Sequence, residues 1–417
     1  MLPGGQQVVL GRRWWLPVTV SYVAFIITGV GAAATGVLLP AQIRDYGVDM
    51  ATIGTTFFAF SAGFMLAGST AGPVIHRFGI RAALVIGGGV YVAACLYTAL
   101  RPPFLAFVAV QVVVGHGMGT LESALNTFLA GLPNSTTLLN RLHAFFGVGA
   151  LIGPLLATWI LGFAPWTMVS LVLAVATVPV LVAFVLTLPA RPAPAAEAAP
   201  DRTPEAAPKP GEKGGGSLLG AVAREPAVLL GAAFLAVYVG TEISVGNWAF
   251  TFLTEERELT DRFAGYIVSG YWLGLTAGRF LISPLATRLG LTPIGMTFLC
   301  LFGVTTAALL TWVFPGTIMA AASLTLFGFF LGPLFPTTMA VAPQLASPAL
   351  VPTTIGLLNG VSVIGGAVFP WLVGAIAEGI GVWTLPPYAL TLAFLQLTLW
   401  WAVANRLSPT PALPTTP

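Results

Sequence analysis

Apolar runs long enough to span a bilayer follow one another along the chain, separated by short polar breaks. Twelve can be marked, at roughly 16–40, 51–75, 80–100, 104–131, 140–162, 166–188, 227–253, 263–286, 291–314, 317–344, 350–378 and 384–406. A helix needs about 20 apolar residues to cross the hydrocarbon core. The runs are rich in Gly, Ala, Leu and Val, which suits packed helices better than alternating barrel strands. The pattern predicts an all-α membrane protein with twelve transmembrane helices in two pseudo-symmetric six-helix bundles. The first run is too long for a cleavable leader, and no short apolar core ends in a small-residue cleavage site.

Composition agrees. The 417 residues are 57% apolar and 7% charged, with mean hydropathy +0.91, whereas soluble domains are about a quarter charged. A water-soluble globule is excluded. Cys95 and Cys300 both fall inside runs and read as small core residues. Arg12, Arg13, Arg77, Arg81, Arg141, Arg191, Arg202, Lys209, Lys213, Arg224, Arg288 and Arg406 fall on the side of the termini; Arg44, Arg101, Arg257 and Arg262 fall on the other. By the positive-inside rule both termini are cytoplasmic, in a multi-pass protein of the cell (inner) membrane. The net charge of +3 follows from this bias and calls for no nucleic-acid partner.

Residues 1–188 are read as the first bundle, 189–226 as a cytoplasmic linker, 227–406 as the second bundle and 407–417 as a disordered tail. The linker contains RPAPAAEAAPDRTPEAAPKPGEKGGGS, too polar and Pro-rich to bury a core. The halves look duplicated. A shift of 211 residues sets Gly29 on Gly240, Gly54 on Gly265, Gly63 on Gly274, Pro73 on Pro284, Arg77 on Arg288, Gly79 on Gly290 and Gly117 on Gly328. A shift of 216 sets Gly149 on Gly365, Pro154 on Pro370 and His143 opposite Asn359. Parallel repeats about an axis along the membrane normal imply a cavity at their interface.

Two glutamates lie deep inside these runs, Glu122 and Glu242. A carboxylate in lipid costs about 3 kcal/mol on insertion scales, so each is a candidate for function. Gly115, Gly119, Glu122 and Asn126 share one helical face, and the Asn126 amide is placed to bond the Glu122 carboxyl in either protonation state; the alternative is a structural Glu bonding helix backbone. Glu242 lies between Gly240 and Gly246, which can loosen a helix near a ligand, and Tyr238 is one turn before it. Asn247 and Trp248 lie further along, where an entrance or gate would be. His143 is read as bonding a substrate hydroxyl or sharing a proton with Glu122, against a helix-end histidine held by carbonyls. Asn359 is a candidate sugar-binding amide, against a helix–helix bond. Arg279 reads as a helix-end charge bonding carbonyls or loops. Gly149, Gly153 and Pro154 allow close packing and a kink.

GPVIHRFGIR (72–81) and SPLATRLGLT (283–292) resemble the two copies of the loop signature of the major facilitator superfamily. Gly72, Arg77, Gly79 and Arg81 match in the first copy, Arg288 and Gly290 in the second. The signature's Asp is replaced by His76 and Thr287. The resemblance implies gating loops around Arg77, Arg81 and Arg288, with the usual acidic latch missing. GTLESALNTFLAG (119–131), LNRLHAFFGVGALIGP (139–154) and YVGTEISVGNW (238–248) resemble the fucose–proton symporter family and its glucose-transporter-like relatives. That resemblance implies a proton- and substrate-binding role for Glu122 and sugar contact for His143. The fucose family's first-helix acid has no counterpart in 16–40, a role that Glu242 can take over.

No GxxxxGK[ST], metal-spaced His/Cys group or GxSxG is present, so no enzyme, cofactor or metal site is expected. The expectation is a monomeric secondary transporter in the lipid bilayer that couples uptake of a sugar or similar small polar solute to a proton, sodium not being separable by two carboxylates alone. The alternative is a proton-driven exporter of amphipathic drugs or metabolites. A cavity lined by Phe and Met favours export; one lined by Asn, Glu, His and Trp favours sugar.

Overall fold

The computed structural model describes residues 11–189 and 218–407, and these are helical without a strand. The helices are α1 (Trp15–Tyr46), α2 (Met50–Ile53), α3 (Thr55–Ala99), α4 (Phe104–Ala130), α5 (Ser135–Leu161), α6 (Thr167–Thr187), α7 (Leu218–Val222), α8 (Pro226–Thr251), α9 (Asp261–Arg288), α10 (Pro293–Val313), α11 (Thr317–Leu331), α12 (Leu334–Val341), α13 (Val351–Ile380) and α14 (Leu385–Ala404). Ten described helical segments are long and apolar enough to cross a membrane. One of them, Met50–Ala99, has 50 residues and breaks at Gly79, so it crosses twice. α9 is also long enough at 28 residues, although Asp261, Arg262, Arg279 and Arg288 lower its hydropathy. Twelve crossings result. Residues 15 and 404 then lie at one face, called here the terminus face. Most of the linker, with Arg191, Arg202, Lys209 and Lys213, and the tail from 408 onward lie outside the described residues. The end of the linker segment forms α7, whose Val222 is buried against α13.

Within the first six crossings α3 packs on α4 and α6, and α1 on α5; within the last six α9 packs on α11, α8 on α13 and α14, and α10 on α11 and α14. Repeat symmetry is visible in the crossings themselves. A Cβ on Gly149 would strike Ile26 O of α1, and one on Gly365 would strike Ala236 O of α8. Likewise Gly63 abuts Val112 of α4, and Gly274 abuts Thr325 of α11. In membranes such small residues let backbones touch and let packing drive association. One register differs from the sequence expectation. Gly115 meets Phe60 O and Gly328 meets the equivalent Tyr271 O, so Gly328 is the mate of Gly115, not of Gly117. The same holds for Gly119 against Phe64 and Gly332 against Leu275. Two extra residues therefore precede the fourth crossing's mate in the second half.

Gly79 and Gly290, equivalent in the repeat, both take positive φ, 84° and 70°. Gly79 has ψ 167° as well, a region populated essentially by glycine alone. It turns the chain between the two crossings of α3. Gly79→Ala is expected to lower stability by about 1–3 kcal/mol, read as a drop in the thermal unfolding midpoint of the detergent-solubilised protein; an unchanged midpoint contradicts it.

Candidate functional site

Contacts between the two halves gather on the side away from the terminus face. Gly36 of α1 lies against Asn247 of α8, where a Cβ would come 2.6 Å from Asn247 Cα. Met50 N–H donates to Glu378 Oε2 at 2.9 Å, and Trp371 of α13 packs edge-on to Phe58 at 5.8 Å and beside Gly54. Hydrogen bonds from the Thr52 hydroxyl and N–H hold the neighbouring Asp49 carboxyl below the usual carboxylate range. Thr158 of α5 fits Gly265 of α9, and Thr276 of α9 fits Gly147 at mid-depth. Toward the terminus face the pairing ends. Arg77 and Arg288 are exposed, Arg77 resting on Phe78 and Arg288 forming no ion pair among the described residues, while Arg81 donates to Leu188 O at 3.4 Å. His76 and Thr287 stand at the signature's acidic positions, and among the described residues these arginines pair with no carboxylate.

Beneath that closed side lies a cavity of about 350 Å³, within the range of ligand pockets. Its walls come from α1, α3, α4 and α6 of the first half and from α8 and α13 of the second. Phe57, Phe60, Phe64, Phe107 and Met118 are among its large apolar lining residues. Polar groups are uncharged: Thr35, Gln42, Ser61, Thr98, Gln111, Ser170 and Asn247 among them.

Of the residues expected to bind substrate or proton, only Asn247 lines this cavity. Its amide donates to Ile243 O at 2.8 Å, leaving the amide oxygen for a ligand. Glu122 lies one helical turn beyond the lining residue Met118, and Asn359 one turn beyond the lining residue Val363, both toward the terminus face. They border the cavity's end rather than its wall. Glu122 is partly buried and makes no ion pair among the described residues. Asn126 does not bond its carboxyl; the amide donates to the Glu122 backbone O at 3.0 Å, because a side chain four residues on reaches that carbonyl most directly. Asn359 is exposed and donates to Ile355 O at 3.1 Å in the same way.

Glu242 has a partner that the sequence reading assigned elsewhere. Arg279 Nη2 lies 3.3 Å from Glu242 Oε1, with the two side chains 27% and 13% exposed. This replaces the reading of Arg279 as a helix-end charge. Packing sets the pair: Gly278 and Gly332 bring α9 and α11 into backbone contact, and α9 then presents Arg279 to α8. Tyr271 OH donates to Glu242 O at 2.9 Å. Tyr238 is fully buried, its hydroxyl unpartnered, with Glu242 and Arg279 as its charged neighbours. Arg279 Nε is also buried without a partner. The loosening expected at Gly240 and Gly246 is absent. α8 runs unbroken past both, because Phe369 and Trp272 pack where their side chains would be; the irregular turn comes later, as a π-helix at Phe252–Glu256. Trp248 is buried behind the closed side, beside Gly374 where that glycine meets Met50 of the first half. It is 2% exposed and its Nε1 donates to Pro370 O at 2.8 Å.

His143 is exposed, edge-on to Phe25 at 5.6 Å, and its charged neighbour is Arg279, not Glu122. The structure thus separates two groups. Glu122 makes no ion pair among the described residues; Arg279 and Glu242 pair between α9 and α8, with His143 and Tyr238 as their neighbours. Sequence reading missed Gln42 and the phenylalanine cluster of α3 as cavity walls. The spacing 57, 60, 64 signals one helical face, but not which neighbour that face meets. Among the described residues no His/Cys/Asp/Glu group could hold a metal.

Comparison with known proteins adds ancestry. The family model described as Major Facilitator Superfamily matches residues 21–260 and 238–416. The Saccharomyces cerevisiae "Bypass of stop codon protein 6" is 24% identical over 414 residues, covering 93% of this chain and 82% of that protein. The Brucella abortus "Glucose/galactose transporter" is 25% identical over 383 residues, covering 86% and 87%. Among solved structures, a bacterial homologue of the human lysosomal transporter Spinster, inward-facing and occupied, superposes with TM-score 0.75 at 12% identity, covering 94% of this chain and 98% of that one. The transporter FucP in the outward conformation gives 0.61 at 18% identity, covering 96% and 100%.

Proposed function

The chain belongs to the major facilitator superfamily, and on that premise we propose that it is a proton-coupled transporter that takes up a sugar or similar small polyhydroxylated solute by alternating access. It is a multi-pass membrane transporter of small solutes; the proton, the sugar and the direction are the proposal. The observation that carries it is the cavity between the halves, roofed on one side, lined by uncharged hydroxyls and amides beside phenyl faces, and bordered by the lone carboxyl of Glu122. Phenyl rings offer stacking surface to a sugar's apolar face, and amides pair with its hydroxyls. A carboxyl with no cation beside it can take up and release a proton between the two access states. In this proposal the terminus face is cytoplasmic, as the basic residues suggest. The conformation is then closed outside and open inward, and the working unit is a monomer in the inner membrane.

A second reading keeps its place on a specific observation. Four phenylalanines and Met118 in the cavity outnumber the amides, and neither Glu, His nor Trp lines it. That surface suits export of an amphipathic solute.

Uptake by proteoliposomes from a solute panel under an imposed pH gradient tests both readings. With one proton per solute, one pH unit is worth about 1.4 kcal/mol and supports about tenfold accumulation. Glu122→Gln is expected to abolish this accumulation while solute exchange across the membrane persists. A variant that still concentrates solute as the parent does removes Glu122 from coupling. Flux that runs only against the direction of proton entry selects the exporter.

A further inference from the structure

The cavity is not confined to the interface of the halves. It extends behind α1 into the first bundle. On α1 the lining residues Gly31, Thr35, Leu38 and Gln42 recur at spacings of 4, 3 and 4, a single helical stripe. Facing them, Tyr91, Cys95 and Thr98 recur at 4 and 3 on the second crossing of α3. Phe107 of α4 and Val169, Ser170 and Leu173 of α6 complete the walls. Gly36 and Gly29, on the opposite side of α1, are the residues that touch α8 and α5. The stripe therefore looks away from the other half, into an arm of the cavity held by the first bundle alone.

One group in this arm is unexplained by the fold. Gln42 is 6% exposed, lines the cavity, and its amide has no hydrogen-bond partner among the described residues. The hydroxyls of Thr35 and Thr98 are already spent on Gly31 O and Ala94 O. The amide faces the cavity, so its donor and acceptor are open to a solute that enters there. Gly31 keeps the arm's neck open, since a Cβ there would come 2.7 Å from Tyr91 Oη.

We propose that this arm is a specificity subsite for an uncharged, two-part solute. A ring-sized apolar part lies between Leu38, Phe107 and Leu173, and a hydroxyl or carbonyl on it pairs with the Gln42 amide; the hydroxyl-rich part stays at the central cavity by Gln111 and Asn247. This rests on the transport reading above and narrows its substrate class. No charged side chain lines the cavity, so nothing there offsets the desolvation of a carboxylate or ammonium.

Proteoliposome uptake of glucose, phenyl β-glucoside, uridine and 4-hydroxybenzyl alcohol, under a pH gradient, separates the claims. The ring-bearing compounds are expected to be carried with KM at least about tenfold below that of glucose, the worth of one buried hydrogen bond with some apolar contact. Gln42→Leu, which keeps volume and removes the amide, is expected to raise KM for the best of them about tenfold with maximal rate retained. Gly31→Ala is expected to raise KM for the ring-bearing compounds more than for glucose. Equal KM for glucose and ring-bearing compounds, or a Gln42→Leu KM equal to the parent's, overturns the subsite while leaving transport intact. Parent protein that takes up none of the panel overturns the sugar-uptake reading and the subsite with it.

Discussion

Arg279→Met is expected to be among the most destabilising single substitutions in the second half. It leaves the Glu242 carboxylate 13% exposed with no cation near it. Removing one partner of a buried ion pair costs about 3–5 kcal/mol. Arg279 itself is 27% exposed, so the lower end of that range applies. Glu242→Met alone strands the guanidinium in the same way, whose Nε already lacks a partner. The double variant removes both charges and is expected to regain most of the lost stability, since apolar pairs often match buried ion pairs. Thermal unfolding of the purified proteins checks this. If Arg279→Met unfolds at the parent's temperature, the two groups are not coupled. If the double variant is no better than the singles, packing rather than charge explains the loss. The same double variant asks whether the pair does more than hold α8 to α9. Uptake with a parent-like pH profile would make the pair architectural; a displaced profile would place it, with His143 and Tyr238, in the proton's path.

Gly36→Val is expected to slow transport about tenfold or more while leaving each bundle folded. At this crossing a Cβ would fall 2.6 Å from the Asn247 Cα and O atoms. Backbone atoms cannot swing aside as a side chain can, so α1 and α8 must part. Overpacking of this kind costs about 1–3 kcal/mol, and the cost falls only on the state in which this side is closed. Opening this same side relieves it. A cost of about 1.4 kcal/mol shifts a two-state population about tenfold. The readout is a single cysteine at Thr56, a cavity residue close to the closed side, reacted with a membrane-impermeant maleimide added from the side away from the termini. Labelling is expected to rise about tenfold in the valine background. Unchanged labelling with normal uptake would mean that Gly36 and Asn247 do not form the closure.

Much of the architecture was legible in the chain. The run lengths predict the crossings, and even the two irregular cases explain themselves: Gly79 hides a turn inside one continuous helix, and the arginines of α9 disguise a crossing as a polar segment. The shift of 211 residues correctly paired Gly63 with Gly274 and Gly79 with Gly290, because both mates keep the same neighbour or the same positive φ. It failed at Gly328, since a repeat is aligned by which backbone a glycine touches and not by its count along the chain. The candidate site was less legible. Glu122 and Glu242 stand out because charge at that depth is rare, yet their partners do not. Arg279 lies 37 residues from Glu242, and nothing in either local sequence names the other. Asn126 was read toward the carboxyl and turned to the carbonyl, a choice between two acceptors one bond-rotation apart. Gln42, just past the first apolar run, drew no reading from the sequence.

By itself the sequence determined that this protein crosses a membrane repeatedly as two related bundles and carries two acids where lipid would penalise them. It could do so because hydropathy, glycine turns and charge act locally: each segment must satisfy its own backbone in hydrocarbon whatever its neighbours do. Only the tertiary structure decided which acid is paired, which face is shut and which stripe of α1 opens onto the cavity. Those outcomes turn on the rotation of one helix against another at a crossing. A few ångströms there, set by glycines from distant parts of the chain, choose between a wall, a partner and a space.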